Sequence, residues 1–343
     1  MLYVDPARPS TVVLSPILLA SATALVPHPR TSFNEVMVEA VELTVDTARS
    51  TALRQRLRSA LSRRHKSLRS LQRKLGKQRD GLPPPAELRQ SGETLLAGLA
   101  RAERIDDTHV RMPDPFQPDG RLVDIEIDPR MGLPENAQRL FRRSRKAERT
   151  ELELGARLER LDRDLAFAED VSVSLDDARG LDELETIREE MEEEGLLAGH
   201  AGSKTRARSR GGTKRLPPRR FITPRGNVIL VGRSGRSNAD LTFRVAKPDD
   251  LWLHASGMPG SHVVLKRSGS LEPDEDEVVT AAGYAAHFSK GRNETFVDVM
   301  VTPRRNVSAI KGAPPGLVRV TNIKTVRVRP TPPPVSEAPI EVG

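Results

Sequence analysis

A chain of 343 residues is long enough for two domains, because a single hydrophobic core seldom grows beyond roughly 250 to 300 residues. It contains no cysteine, which excludes a disulfide framework, cysteine-ligated zinc and thiol nucleophiles, and suits a reducing compartment such as the cytosol. The net charge is +8, but 55 basic residues stand against 47 acidic ones, so where each sign sits says more than the total.

Residues 11–26 are the longest apolar stretch, broken by Pro16 and too short to span a bilayer, so no membrane partner is expected. The run Thr11-Val12-Val13-Leu14 suits short strands. From Ser32, a plausible N-cap, a long helix is predicted, with Leu53, Leu57, Leu61, Leu68, Leu71 and Leu75 forming one apolar stripe. Gly76 and the run Gly81-Leu82-Pro83-Pro84-Pro85 are expected to stop it. Residues 85–102 then read as a shorter helix with Leu88, Leu95, Leu96 and Leu99 inward. Residues 109–111 and 122–127 form a hairpin in which Val123, Ile125 and Ile127 alternate with Asp124 and Glu126.

A second long helix starts near Pro134, where proline in the first turn costs nothing. Leu140, Ala147, Leu154 and Leu161 fall a heptad apart, with Leu158 and Leu165 between, so the two long helices should pack antiparallel. A third, acidic helix covers residues 181–191. Residues 201–220 hold eight Lys or Arg and no acid, and residues 199–220 read as a flexible basic linker. The fold class expected is α+β: a helical coiled-coil arm over 32–198, with its hairpin within 107–127, and a compact mixed domain over 221–330. In that domain, strands are expected at 220–223, 228–233, 250–255, 261–266, 295–301, 316–320 and 324–329. Helical segments are expected at 238–245 and 278–290, and residues 331–343 form a proline-rich tail.

The strongest chemical signal lies in the first long helix. Residues 49–79 contain twelve Lys or Arg and no Asp or Glu, so the helix forgoes every internal Glu to Lys pair that an ordinary coiled-coil surface uses. The second helix opens in the same way, with Arg139, Arg142, Arg143, Arg145, Lys146 and Arg149 against Glu148. Pairing between helices with Glu151, Glu153 and Glu159 is the bland explanation; a phosphate-facing surface, which gains affinity by counterion release, is the functional one. Arg63, Arg64, Lys66 and Arg69, with Arg142 and Arg143, are the candidate RNA contacts of the arm. With aromatic residues at 3% and a single Trp252, serial base stacking has few rings to use, and Trp252 reads as core.

Across the turn at 256–260, His254 and His262 should lie nearly opposite one another, as satisfied core or RNA-facing histidines. Two ligands do not make a metal site, and no third is fixed by sequence, so neither metal nor other cofactor is expected. The glycines and arginines of residues 231–238 lack the Gly-Lys-Ser or Gly-Lys-Thr ending of a phosphate loop. Residues 272–277 read as a solvated acidic loop, and no nucleophile, histidine and acid set is recognisable, so an enzyme is not expected.

Residues 249–266, Asp-Asp-Leu-Trp-Leu-His-Ala-Ser-Gly-Met-Pro-Gly-Ser-His-Val-Val-Leu-Lys, resemble the signature of the NFACT RNA-binding domain. Val231-Gly232-Arg233, Leu241-Thr242, residues 281–290 and Lys311-Gly312-Ala313-Pro314-Pro315-Gly316 match that domain in order. Asp128-Pro129-Arg130 and residues 134–143 resemble the coiled-coil region of the same RqcH-like family. The resemblance implies an RNA-binding factor of ribosome-associated quality control. Its implied partners are RNA of obstructed large ribosomal subunits and tRNA, where family members help add C-terminal alanine tails. Arg233, Arg236, Lys266, Arg267, Lys290, Arg292, Arg304, Arg305 and Lys311, in or beside loops, are the candidate RNA contacts of the domain, together with His254 and His262. The family's large N-terminal domain, with its Asp-Arg motif, and its helix-hairpin-helix region have no counterpart before Ser32. Residues 1–31 then read as the end or remnant of that domain, and a separate protein supplying it is a further expected partner. A coiled-coil scaffold and a fibronectin-binding surface adhesin are the competing readings.

Overall fold

The computed structural model describes residues 2–4, 12–14, 26–28, 33–117, 120–197, 216–267 and 272–334; Ser32, most of the expected basic linker and the end of the proline-rich tail lie outside them. Strands β1 (Leu2–Val4), β2 (Val12–Leu14) and β3 (Val26–His28) pair antiparallel in the order β2-β1-β3. Helix α1 (Phe33–Asp80) follows and runs straight through Gly76, contrary to expectation. An interior glycine costs only about 1 kcal/mol, and the buried Leu75 beside it anchors the last turn. The proline run ends the helix instead. Helix α2 (Pro85–Ala97) begins on proline at N1 and stops at Gly98, before a 3-10 turn at Leu99–Arg101. Leu96 and Leu99, expected inward, are exposed, because the buried side of so short a helix is Gly92, Thr94 and Leu95.

Strands β4 (Glu103–Arg104), β5 (His109–Pro113) and β6 (Leu122–Glu126) form a three-stranded antiparallel sheet. Helices α3 (Leu133–Asp177) and α4 (Gly180–Glu193) come next. Then come β7 (Arg219–Ile222), β8 (Val228–Val231) and α5 (Gly235–Asp240), which continues as one π-helical turn at Leu241–Val245. The chain closes with β9 (Leu251–Ala255), β10 (Val263–Lys266), α6 (Glu275–His287), β11 (Val297–Pro303), β12 (Val307–Ala309), β13 (Val318–Val320) and β14 (Lys324–Val328). The α+β class holds.

Contacts divide the chain into two compact units, Leu68–Asp162 and the combination of Met1–Ser67 with Arg163–Gly343. In the smaller unit, Leu95, Val110, Met112, Ile125, Ile127, Ala137 and Leu140 form the core between α2, the small sheet and the start of α3. Gly92 is required there: a Cβ would meet the Phe141 ring at 2.8 Å. The fully buried Asn136 pins the start of α3, accepting from the Asp128 N–H and donating to the carbonyls of Asp128 and Met131.

In the larger unit, the sheet order is β14-β11-β9-β10-β8-β7, every neighbour antiparallel. Period-two alternation sends Val231, Leu253, Val263, Leu265, Val297, Val299 and Val328 to the face that α6 covers with Ala281, Ala282, Ala285 and Phe288. Leu230, Trp252 and Val264 face the other way, under Leu241 and Val307. The expected solvated loop at 272–277 is corrected. Asp274 caps α6 by accepting from the Glu277 N–H, Glu277 accepts back from the Asp274 N–H, and the buried Glu277 carboxylate also takes hydrogen bonds from Thr223 and Asn227. An Asp-x-x-Glu capping box hides inside what composition presents as an acidic patch.

Within the same unit, Arg54 of α1 donates to the carbonyls of Leu175 and Ala178, Arg58 lies 2.5 Å from Asp176, and His65 lies 3.5 Å from Glu169. Partners descend α3 as residues ascend α1, which is the antiparallel pairing expected.

Candidate nucleic-acid interface

On α1, Leu57, Leu61, Leu68 and Leu75 are buried, whereas Leu71 is exposed and drops out of the expected stripe. At about 3.6 residues per turn, Arg56, Arg63, Lys66, Arg73, Lys74 and Lys77 share an arc of roughly 100° on the side away from those leucines. All six are exposed and have no ion-pair partner among the described residues. Arg69 is exposed beside this arc, and Arg64 is exposed at the edge of the leucine seam. Of the acids named for pairing between the helices, Glu153 instead pairs with Arg149 of its own helix at 2.9 Å, and Glu151 and Glu159 are exposed with no arginine partner among the described residues. On α3, Arg142 and Arg143 are exposed with no acid partner among the described residues, while Arg139 pairs with Asp128 at 3.7 Å.

The basic residues expected to contact RNA in the C-terminal domain fall into separate groups. Lys290 and Lys311 are exposed and Lys266 half-buried, none with an acid partner among the described residues. Arg267 pairs with Glu272 and Arg305 with Asp249, both at the surface. Arg304 donates to the Thr242 carbonyl at 2.7 Å and lies over the Phe243 ring. Arg233, Arg236 and Arg292 turn towards α3 and α4: Arg233 meets Glu183 at 2.7 Å, Arg292 meets Asp177 at 2.8 Å, and Arg236 pairs with Glu193 while its N–H donates to Glu190. These last three are held by carboxylates rather than presented to solvent.

His254 and His262 do meet, with ring centroids 5.5 Å apart and both rings packed on the buried Trp252. The Thr242 hydroxyl lies 2.8 Å from His262 Nδ1. Burial lowers the pKa of both, and the neighbouring His254 helps push His262 down to about 3, so the pair is neutral at physiological pH and offers no charge to a phosphate. Among the described residues, no group of three or more histidines and acids is placed to hold a metal ion, and no helix is long and apolar enough to cross a membrane.

Residues 39–210 match the model of the NFACT N-terminal and middle domains, and residues 218–322 match that of the NFACT protein RNA binding domain. The chain belongs to the NFACT family. A relative named Rqc2 homolog RqcH from Streptococcus suis is 33% identical over 83% of this chain and 50% of its own length. The protein of that name from Bacillus subtilis is 31% identical over 71% of this chain and 41% of its own. The NFACT chain thus spans about half the length of these curated relatives. Among solved structures, the C-terminal part of the fibronectin/fibrinogen-binding protein from Streptococcus suis aligns with a TM-score of 0.59 at 28% identity, covering 83% of this chain and 95% of that one.

Two features of the NFACT domain escape a reading by charge. Arg219, placed by composition with the linker, is buried in β7, where it binds Glu183 at 3.0 Å and the Asp177 carbonyl at 2.9 Å. No local pattern marks it, because its partners are 36 and 42 residues away. Phe296 is 43% exposed, with the guanidinium carbons of Arg327 and Arg329 at 5.6 and 5.1 Å from its ring centroid. Here a signal existed: Arg327, on β14, and Arg329, one residue past its end, are two apart in an extended segment and therefore share a face.

Proposed function

We propose that this chain is a cytoplasmic RNA-binding factor of ribosome-associated quality control that engages RNA of the large ribosomal subunit and tRNA through their backbones. The observation that carries this reading is the basic arc of α1, unpaired among the described residues and presented to solvent opposite a buried leucine seam, in a chain that also bears an NFACT RNA-binding domain. Positive charge without acid neutralises phosphates and releases their counterions, giving affinity that depends on salt and hardly on sequence. Arg142 and Arg143 add exposed positive charge on α3, and Lys266, Lys290 and Lys311 supply charge on the rigid sheet domain, where structured RNA is read by shape.

The reading is tested by sedimentation of a ribosome preparation through a density gradient after stalling. The chain should travel with free large subunits and with their bound tRNA, and release when salt is raised. Recovery only at the top of the gradient at low salt would sink the proposal. The name of the Streptococcus suis structure raises a second reading, adhesion to fibronectin or fibrinogen. Retention on immobilised fibronectin that survives neutralisation of the α1 arc, with no sedimentation alongside subunits, is the result that would favour it.

A further inference from the structure

The face of the six-stranded sheet turned away from α6 is covered unequally. Over β8, β9 and β10 it carries Leu230, Trp252 and Val264 beneath Leu241 and Val307. At the β11 and β14 end, Asp298, Arg327 and Arg329 are exposed. The alternation requires this: Val297, Val299 and Val328 are buried against the α6 side, so the residues between them project from the opposite face. The register pairs Val297 with Val328 and Asp298 with Arg327, and its continuation sets Phe296 beside Arg329.

Between residues 218 and 322, Phe221, Trp252, Tyr284 and Phe288 are buried and Phe243 is half-buried; among the described residues Phe296 is the aromatic ring left in solvent. Its neighbours Arg327, on the edge strand β14, and Arg329, just beyond that strand's end, are exposed and charged. A peptide-docking hot spot needs an apolar pocket and a surrounding ring that excludes water. This patch instead offers an exposed ring and two planar cations, with the carboxylate of Asp298 across from Arg327.

We propose that Phe296, Arg327 and Arg329 form a site for one unpaired nucleobase of a single-stranded RNA segment. The base stacks on the phenyl ring and guanidinium planes, and the two charges attract the flanking phosphates. The inference rests on the RNA-binding reading above and adds to it a contact that needs a base, where the α1 arc needs only a backbone. It fits the low aromatic content, which leaves few rings for serial stacking but does not exclude a single stacked base.

The test uses the full chain and a single-stranded oligoribonucleotide substituted with 5-iodouridine, which crosslinks under light to aromatic rings on which it stacks. Peptide mass spectrometry of the wild-type complex should place a crosslink on Phe296. Phe296→Leu should weaken binding of this RNA about tenfold while leaving the salt dependence of binding unchanged, and Phe296→Tyr should stay within about twofold. Replacing Arg327 and Arg329 with Gln should reduce the salt slope by about 0.7 for each phosphate that is no longer neutralised. Wild-type binding that Phe296→Leu does not weaken, with no crosslink on Phe296, overturns the inference and leaves the RNA-binding reading standing. Failure of the wild-type chain to bind any RNA at low salt overturns both.

Discussion

Glu183 of α4 holds two arginines of the RNA-binding domain at once: Arg219 lies 3.0 Å from one carboxylate oxygen and Arg233 lies 2.7 Å from the other. Both Arg219 and Glu183 are buried, so the arrangement draws its strength from low dielectric and from the Asp177 carbonyl that takes a further Arg219 N–H. Removing the carboxylate leaves the buried Arg219 guanidinium with only the weaker attraction of Asp177 as counter-charge. Glu183→Ala should therefore lower the stability of the full chain by about 3 to 5 kcal/mol in urea unfolding followed by circular dichroism. Replacing Glu183 and Arg219 together by Leu and Met should cost clearly less than Glu183→Ala alone. Equal losses in both would mean that the carboxylate acts by packing and not by charge.

The same helices carry two carboxyl groups with raised pKa values. Burial pushes Asp170 up to about 7 against the pull of the Gly260 N–H, and burial pushes Glu190 up to about 7 against Ser234 and Arg236. Glu169 and Glu190 reinforce the shift of Asp170, Glu194 reinforces that of Glu190, and the Arg236 guanidinium opposes that of Glu190. A carboxyl whose folded pKa lies above its unfolded value of about 4 binds a proton more tightly when folded. Its contribution is complete below about pH 4, falls as the unfolded chain ionises, and is lost by the time pH passes through about 7. Melting temperature should thus decline between about pH 4.5 and 7, and Asp170→Asn with Glu190→Gln should flatten that decline. A decline of unchanged steepness in the double variant would assign it to other groups.

Gly232 sits where the chain leaves β8, and a Cβ there would overlap the Asn238 side chain, whose oxygen accepts from the His262 N–H at 3.0 Å. Asn238 is buried and cannot retreat without leaving that N–H unpaired. Gly232→Ala should cost about 2 kcal/mol or more through disruption of the buried hydrogen bond. Gly226→Ala provides the contrast: nothing crowds its Cβ, and only its positive φ of 89° opposes the substitution. Chemical denaturation of the two variants compares crowding with backbone strain directly.

How much of this is legible in the sequence follows from the range of each interaction. The strands from β7 to β14, the opposition of His254 and His262, the burial of Trp252 and the antiparallel long helices rest on periodicity and register, which are local or repeat along the chain. Strands β4 and β12 are exceptions that leave no trace: the first is a two-residue Glu-Arg segment with no period, and the second is a three-residue strand fixed by pairing with β13. Assigning Arg233, Arg236 and Arg292 to solvent overlooks Glu183, Glu190, Glu193 and Asp177. Those acids are visible as an acidic helix and its approach, but nothing in spacing ties residue 183 to residues 219 and 233. The exposed arc of α1 is legible because it is the complement of a leucine stripe on a single helix.

That arc supports the prediction that most directly separates an RNA-binding surface from a scaffold. Arg63, Lys66, Arg73 and Lys77 are exposed and unpaired among the described residues, so replacing all four with Gln removes charge without breaking an ion pair. If each engages a phosphate, the slope of log affinity against log salt for a duplex ribosomal RNA fragment should flatten by as much as about 3 to 4. Arg54 is the internal control: it donates to the carbonyls of Leu175 and Ala178, where two chain segments of one unit meet. Arg54→Gln should lower the melting temperature and leave the salt slope nearly untouched. A quadruple variant that keeps its slope, beside an Arg54→Gln chain with weakened RNA affinity, would reverse these roles and recast the basic helix as a scaffold whose charge merely keeps it solvated.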